Sequence, residues 1–314
     1  KLVEQYVTAE QKTDAEAFAA IATAADCVTL KEGNWALVRK TIQSFRNDIV
    51  PPQIKLLSEM LGQPTKFCTE DTFYYYIGPA LNANGRLFDN GGAKALSYLI
   101  APTLEKAQEI VNTNNDRKEL RDKPYQTILD TIYADNLQNN CPIWVKASDL
   151  HQGIIGILAG HITEDFGVPA IVLTETPDGT LKGSARSVPG VNILDYLCNC
   201  GAQFIALGGH EGAAGMTMTK GEFEKARMST IPGFKPGKKT AHPIAIDSND
   251  IPDIFIEVNK YYPYGEGNPP VPFAVEVDTN SKTARFAGKD KNHLIFTDPD
   301  NKWKITKFNF VPND

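Results

Sequence analysis

The stretch from Gly208 to Gly215 constrains the fold more than any other, because four glycines and two alanines surround a single histidine, His210. Glycine tolerates positive φ angles and leaves room for a ligand to approach the backbone. Consecutive amide N–H groups in such a stretch can form an anion-binding concavity, with Gly208 and Gly209 beside His210. The alternative is a tight strand–turn–strand whose histidine caps a carbonyl group, and the stretch taken alone favours that alternative.

The bulk properties are ordinary for a globular protein. The 314 residues are enough for two or three domains, with 42% hydrophobic and 22% charged residues. No apolar run approaches the ~20 residues that span a bilayer, so no membrane partner is expected. The five cysteines are scattered, and Cys198 and Cys200 lack the further ligands of a zinc site. Reduced thiols and a cytoplasmic location are therefore expected.

The N-terminus begins at Lys1 without an initiator methionine and without the pattern of a signal peptide. We expect the sequence to be a fragment or a processed piece. The formal net charge of −6 argues against a general nucleic-acid-binding surface but leaves a local basic groove possible. Basic residues concentrate towards the C-terminus: Lys235, Lys238, Lys239, Lys282, Arg285, Lys289, Lys291, Lys302, Lys304 and Lys307. They form either a polyanion-binding groove or a solvated face, and both interpretations stay open.

Apolar spacing predicts helices in the N-terminal third and an alternation of strands and helices after it. The predicted helices cover residues 15–25, 34–45, 54–61, 103–137, 193–200 and 222–229, and the predicted strands residues 143–146, 170–173 and 181–187. The helix over 103–137 is polar on most faces, which is typical of a long exposed helix bridging two lobes, and we expect a break near Pro124. His151 is predicted to open a further helix that ends near Phe166, completing a β-α-β unit.

The C-terminal region is predicted to contain short strands. Residues 232–243 have the glycines, prolines and lysines of a linker. Alternating apolar residues then predict strands over residues 272–277, 283–286, 293–296 and 303–308. So few strands suggest an incomplete small barrel, and Asp298 to Asp300 is expected to form a turn.

Three segments combine phosphate-binding side chains with glycine. The first runs from Ile77 to Arg86 and includes Asn82, and the second runs from Lys182 to Ser187. The third is the stretch around His210. The planar guanidinium of an arginine can hold two oxygens of one phosphate, and small neighbours allow backbone N–H groups to add donors. Each arginine alone is better explained as part of a surface ion pair, but three such segments in one chain favour a phosphodiester substrate.

Together these segments resemble the RecJ family of single-strand-specific exonucleases, within the DHH phosphoesterase superfamily. The similarity has the family's order and spacing and extends over most of the chain. It covers residues 22–30 around Asp26, residues 77–86, residues 151–159, residues 182–187, residues 208–215 and residues 264–269. The last of these is similar to the family motif that introduces an OB-fold domain.

The resemblance implies an α/β fold with two α/β lobes, a partial DHH domain and a DHH-associated domain, joined by a long helix. A partial OB-fold β-barrel is expected to follow. The implied boundaries are residues 1–100 for the remainder of the DHH domain and 101–138 for the connecting helix. Residues 139–234 would form the DHH-associated substrate-binding domain and residues 235–314 the OB-fold domain.

The resemblance also implies a two-metal site for Mn²⁺ or Mg²⁺. The Asp-x-Asp and Asp-His-His motifs that hold the metals in the family would lie ahead of Lys1, so Asp26 alone would remain as a metal ligand. One carboxylate cannot hold a two-metal cluster. Ala22 and Ala80 replace residues that are usually glycine and arginine in the family, and the second change removes one phosphate contact.

The implied activity is metal-dependent 5′-to-3′ hydrolysis of single-stranded DNA, with this chain inactive by itself. His210 would contact a non-bridging oxygen or protonate the leaving group, and Asp26 would help to hold a metal. The implied phosphate ligands are Asn82, Arg86, Ser184, Arg186, Gly208, Gly209 and His151. The cap of a helix is an equal alternative for His151.

Other partners and functions are also considered. Tyr261, Tyr262, Tyr264 and Phe273 are candidate base-stacking residues, although aromatic residues in such a barrel are mostly core. Single-strand-binding or other repair proteins are candidate partners. One alternative function is a non-catalytic nucleic-acid-binding scaffold, and another is a phosphodiesterase for short oligonucleotides or cyclic dinucleotides.

Overall fold

The structure is a computed structural model that describes residues 8–234, 243–276, 284–287, 293–297 and 303–307. The α-helices in these residues are α1 (Ala9–Ala25), α2 (Glu32–Arg46), α3 (Pro52–Met60), α4 (Gly78–Leu87), α5 (Gly91–Ile100), α6 (Leu104–Ala134), α7 (Ile155–Phe166), α8 (Ile193–Asn199), α9 (Lys220–Ala226) and α10 (Ile251–Val258). The strands are β1 (Ile143–Lys146), β2 (Ala170–Glu175), β3 (Leu181–Arg186), β4 (Ala206–His210), β5 (Ala213–Met218), β6 (Ile244–Ile246), β7 (Phe273–Val275), β8 (Ala284–Ala287), β9 (His293–Thr297) and β10 (Lys304–Lys307).

The chain divides into two compact units. Unit 1 comprises Lys1–Ile49, Lys66–Tyr74 and Ala241–Asp314, and unit 2 comprises Val50–Thr65 and Tyr75–Thr240. The predicted α/β class is confirmed, since helices and strands alternate through unit 2. The predicted domain boundaries at residues 100, 138 and 234 stay predictions.

Unit 2 is built on a mixed five-stranded sheet in the order β1-β2-β3-β5-β4. Strands β1 and β2 are parallel, as the predicted β-α-β unit requires, and the other pairs are antiparallel. Alternate residues of β1 point to opposite faces, so Ile143 and Val145 join one apolar core and Trp144 the other. Helices α6 and α7 cover the first face, and α8 and α9 cover the second.

The long helix α6 differs from its prediction in two respects. It runs through Pro124 without a break. A proline inside a helix removes one hydrogen bond, but α6 packs on both sides of it, through Ile110 before the proline and through Ile128 and Ile132 after it. The helix also has a buried stripe on its otherwise largely exposed surface, formed by Ala107, Ile110, Thr113, Asn114, Arg117, Ile128 and Ile132.

Two further local predictions are corrected by the backbone. Helix α7 begins at Ile155, so His151 does not open it. His151 instead closes a turn, since its Nδ1 atom accepts a hydrogen bond from the N–H of Gly153 at 3.1 Å. The glycine-rich stretch is not a concavity but the hairpin of β4 and β5. In paired strands successive N–H groups point to opposite sides, so they cannot converge on one anion.

In unit 1, α2 packs on α1 through a buried face that includes Val38, Ile42 and Phe45. Phe45 meets Phe73 edge-to-face, with ring centroids 5.5 Å apart. Strands β8, β9 and β10 form an antiparallel sheet, and β6 pairs in parallel with β7. The short C-terminal strands predicted from the sequence are therefore confirmed, as a partial OB-like region.

Some predictions fall outside the described residues: the turn at 298–300, most of the linker over 232–243, and Lys235, Lys238, Lys239, Lys282, Lys289, Lys291 and Lys302. Of the remaining basic C-terminal residues, Arg285 and Lys304 are exposed. Among the helices that the structure describes, none combines the length and the apolar character required to cross a bilayer.

Candidate phosphate-binding site

Arg186 is the centre of the candidate site in unit 2. It ends strand β3, and its Nη1 atom donates to Ser184 Oγ at 3.0 Å and to the carbonyl oxygen of Ala185 at 2.8 Å. The guanidinium lies directly over Gly156 in α7, where an added Cβ would stand 2.8 Å from Nη2 and 3.1 Å from Ser184 Oγ. The guanidinium of Arg186 can lie in this position only because Gly156 has no side chain.

The end of α4 is pressed against the turn that precedes α7. A Cβ added at Gly153 would stand 1.7 Å from the carbonyl oxygen of Arg86. The backbone of Arg86 thus lies beside the turn that His151 closes. Arg86 itself is exposed, as is Asn82, which lies four residues earlier on the same face of α4.

The register of the sheet places His210 in line with Arg186. Both residues pair with Ala213, one from each side, so the three lie in one row across β3, β5 and β4. Directly paired residues point to the same face, and two strand spacings separate Arg186 and His210 by roughly 10 Å. In the neighbouring row Gly215 lies between Ser184 and Gly208. Because Ala213, Gly215 and Gly208 are small, the surface of the sheet between the polar side chains is open; this surface is called the open floor of the sheet below.

Gly209 and His210 end strand β4, where the two strands of the hairpin lie close together. Gly209 has φ +152°, and a Cβ there would stand 2.3 Å from the carbonyl oxygen of Ala213. The Nδ1 atom of His210 accepts the N–H of Gly212 at 3.2 Å, so this histidine does not cap a carbonyl group as the simpler prediction had it. An Nδ1 acceptor requires the proton of a neutral imidazole to be on Nε2.

The electrostatics of the site are dominated by uncompensated arginines. Burial lowers the pKa of Arg186, and the neighbouring charge of Arg86 lowers it further. The pKa of Arg117 in α6 is lowered by burial, then by Arg121 and Arg86. In the described part of the chain, no carboxylate lies within 4.0 Å of Arg86, Arg117 or Arg186. Such a cluster is suited to an anion with several oxygens.

Sequence reasoning missed Arg117, although its position carries a signal. Ala107, Ile110, Asn114 and Arg117 follow the three-and-four spacing of one helix face. The first two are apolar and buried, so the same face predicts burial for Asn114 and Arg117.

Asp26 lies in unit 1, at the C-terminal cap of α1, and is exposed. Within the residues that the structure describes, no three His, Cys, Asp or Glu side chains are grouped closely enough to hold a metal ion. The described residues therefore do not form a metal site by themselves. The role of Asp26 as a metal ligand stays a prediction.

The candidate stacking residues of unit 1 divide into packed and exposed ones. The ring of Tyr262 meets that of Tyr264 edge-to-face, and its hydroxyl accepts the N–H of Glu70 at 3.2 Å. The Arg46 guanidinium lies 5.5 Å from the Tyr262 ring centroid. Burial, followed by the interaction with the Glu70 carboxylate, raises the pKa of Tyr262, and the N–H of Glu70 opposes this shift. Tyr261, by contrast, is 66% exposed, although Trp35 holds its carbonyl oxygen at 3.0 Å.

We expect Tyr262→Ala and Tyr261→Ala to have opposite effects. The first should lower the free energy of unfolding by about 2–3 kcal/mol, because it empties a packed position. The second should leave that free energy unchanged and weaken oligothymidine binding about fivefold, since one stacked base contributes about 1 kcal/mol. Thermal denaturation and fluorescence anisotropy measure the two effects. A loss of binding in Tyr262→Ala with an unchanged melting temperature would contradict this assignment.

Gly156→Ala should weaken phosphate binding without weakening the fold. The new Cβ overlaps the flexible end of Arg186, which can swing away, and an alanine inside a helix is favoured over glycine by about 1 kcal/mol. We expect about tenfold weaker binding of single-stranded DNA at an unchanged or higher melting temperature. Gly160→Ala in the same helix is the matched control, because an added Cβ there has no atom within 4 Å. Equal affinities of the two variants would refute the role given to Gly156.

Comparisons with known proteins agree with this architecture. Residues 140–231, which contain Ser184, Arg186 and His210, match the DHHA1 domain family. The single-stranded-DNA-specific exonuclease RecJ of Salmonella typhimurium is 32% identical over 219 residues, which are 66% of this chain and 37% of that protein. RecJ of Bacillus subtilis is 28% identical over 293 residues, 89% of this chain and 36% of that protein.

A solved structure shows the same fold. RecJ of Thermus thermophilus in complex with Mn²⁺ superposes with a TM-score of 0.76 and 24% identity, over 96% of this chain and 45% of that one. The chain thus spans less than half the length of these relatives. The DHHA1 domain and the sequence relatives define the class: this is a protein of the DHH family. Within that family the chain is RecJ-like, similar to the C-terminal portion of RecJ.

Proposed function

We propose that this chain provides the substrate-binding surface of a metal-dependent exonuclease that degrades single-stranded DNA in the 5′-to-3′ direction. The observation that supports it most is the row of Arg186, Ala213 and His210, with Ser184 beside it and no carboxylate near the guanidinium in the described part of the chain. The exonuclease activity is that of the relatives named above, and it is transferred to this chain by similarity.

In this proposal the phosphates of one strand lie along the open floor of the sheet. Arg186 holds two oxygens of a phosphate, and Ser184 fixes the plane of the guanidinium from behind. Arg86 and Asn82 bind the next phosphate from α4. His151 borders the same line of phosphates. Gly208 and Gly209 also border it, and their lack of side chains leaves room for the strand.

His210 is proposed to act at the scissile phosphate. Because its Nδ1 accepts the N–H of Gly212, the Nε2–H donor is fixed in direction and can bond a non-bridging oxygen or protonate the leaving oxygen. The sheet holds this donor in the row of Arg186, so both can reach neighbouring oxygens of one substrate.

The proposed cofactor is Mn²⁺ or Mg²⁺, since RecJ of Thermus thermophilus has been solved in complex with each ion. Asp26 is the proposed ligand from this chain. Because the described residues contain no cluster that fits a metal, hydrolysis is proposed to need ligands other than these. A cytoplasmic location and association with single-strand-binding or other repair proteins belong to the same proposal.

The test compares binding with hydrolysis. We expect fluorescently labelled oligothymidine to bind at least tenfold more tightly than duplex DNA of the same length, with an affinity that falls as salt rises. The chain alone should not degrade DNA in Mn²⁺ or Mg²⁺. Affinities for a series of oligonucleotides of increasing length, starting from dinucleotides, test the alternative function. A phosphodiesterase for short substrates would bind the shortest ones best. Equal affinity for duplex and single strand would contradict the proposal.

A further inference from the structure

Lys182 lies on the same face of strand β3 as Ser184 and Arg186. These three residues alternate along β3 with buried ones, which include Leu181 and Ala185 of the second apolar core. Lys182 is exposed, and Ser184, which accepts a hydrogen bond from the Arg186 guanidinium, lies two residues or roughly 7 Å away along the strand. This distance exceeds the span of the oxygens of one phosphate, so the lysine is placed for a different phosphate from the one proposed at Arg186.

The ammonium group of Lys182 is held by a neutral side chain. Its Nζ atom donates to Oε1 of Gln152, which lies in the turn before α7, at 2.8 Å. An ammonium group has three donors, so this bond leaves two of them for a further acceptor. In the described part of the chain, no carboxylate lies within 4.0 Å of the Nζ atom. The charge is therefore positioned by an amide without being neutralised.

The segment that carries Gln152 also contacts both arginines of the candidate site. Gly153, the next residue, is pressed against the carbonyl group of Arg86, one of the proposed phosphate ligands. Gly156, four residues after Gln152, lies against the guanidinium of Arg186. The ammonium group bonded to this segment therefore lies at the candidate site and is not an isolated surface charge.

The open floor of the sheet extends beside Lys182. This residue pairs with Thr217 of β5, which pairs in turn with Ala206 of β4. Ala206 is exposed, and neither of the two side chains is large. The row through Lys182 therefore leaves room for a strand, as the rows through Ser184 and Arg186 do.

We propose that Lys182, positioned by Gln152, binds a further phosphate of the strand and gives the site its preference for substrates with several phosphates. This rests on the proposed function, because the first phosphate is the one that Arg186 holds. An ammonium group is a point charge on a flexible stem, so the bond to Gln152 supplies the direction that the lysine lacks. A strand with its backbone along β3 meets both cations in succession, whereas a mononucleotide at Arg186 does not reach Lys182.

Lys182→Met and Gln152→Glu test this role from two sides. Methionine keeps an apolar stem and removes the charge. Glutamate keeps the shape of Gln152 but places beside the ammonium group a carboxylate that competes with the phosphate. Lys220→Met is the matched control, because Lys220 pairs with Glu175 at 2.5 Å. Glu175 pairs in the sheet with Leu181 and therefore lies on the other face from Lys182.

The probes are thymidine 5′-monophosphate, measured by competition, and labelled oligothymidines of increasing length, measured by anisotropy. We expect Lys182→Met to bind long oligothymidine about tenfold more weakly and the monophosphate as the wild type does. The salt dependence should lose about 0.7 unit of slope for the long strands alone, since that is the share of one phosphate contact in a single strand. Gln152→Glu should lose at least as much affinity, and Lys220→Met should lose none. The melting temperature of Lys182→Met should not change, because the residue is exposed.

Two results would overturn the inference. One is a loss in Lys182→Met that is equal for the monophosphate and the long strands, or equal to the loss in Lys220→Met, because the charge would then act generally. The other is wild-type affinity of Lys182→Met for every length. If Arg186→Gln weakens all probes while Lys182→Met weakens none, this inference fails and the proposed function stands. If the wild type binds neither kind of probe, both proposals fail.

Discussion

Replacing Arg186 by glutamine should reduce the affinity for single-stranded DNA by about 10- to 100-fold. A hydrogen bond to a charged group contributes about 1.5–3 kcal/mol, and this guanidinium has no competing carboxylate within 4.0 Å in the described part of the chain. Arg186→Lys should recover only part of the loss, because an ammonium group cannot hold two phosphate oxygens in one plane. Fluorescence anisotropy with labelled oligothymidine at fixed salt measures the effect.

The fold of the Arg186→Gln variant should be unaffected. Arg186 bonds Ser184 and a carbonyl oxygen but repels Arg86, so the loss of its charge removes both a favourable and an unfavourable interaction. The control is Arg227→Gln, which removes one positive charge from the surface of the same unit. If the two variants lose the same affinity, general charge rather than a specific site explains binding, and the phosphate role of Arg186 is wrong.

Gly91→Ala should be strongly destabilising. Its Cβ would stand 1.8 Å from the carbonyl oxygen of Asn84 and 2.7 Å from the amide nitrogen of Gly85, and both are backbone atoms. Helices α4 and α5 would have to separate, at a cost of about 3 kcal/mol or more. We expect the melting temperature to fall by roughly 6–12 °C, measured by circular dichroism.

The neighbouring residue provides the control for this prediction. A Cβ added at Gly92 has no atom within 4 Å, so Gly92→Ala should keep the wild-type melting temperature or raise it slightly. Both variants replace a glycine by an alanine in the same turn of α5. A similar melting temperature for both would show that α4 and α5 are not in the close contact described here.

Several elements could be predicted from the sequence because their patterns are local. Short continuous apolar runs predicted β1 and β2. Helical spacing predicted α2 and α7, the latter with a start that was too early by four residues. The error at His151 has a local cause as well, because a side chain that closes a turn has the same sequence pattern as one that caps a helix. The predicted break at Pro124 was wrong because the packing of α6 on both sides of the proline outweighs the low helix propensity of that residue.

The sequence by itself determined which chemical groups are present and in which elements they lie. Arginine, serine and histidine beside glycine identified the candidate phosphate ligands, and their order indicated the family. Only the tertiary structure decided that Arg186 and His210 share a row of the sheet and that Arg117 is buried in α6 and bonded to Asn114. Register and helix contacts depend on residues far apart in the chain, whereas a sequence pattern reports only the period of a single element.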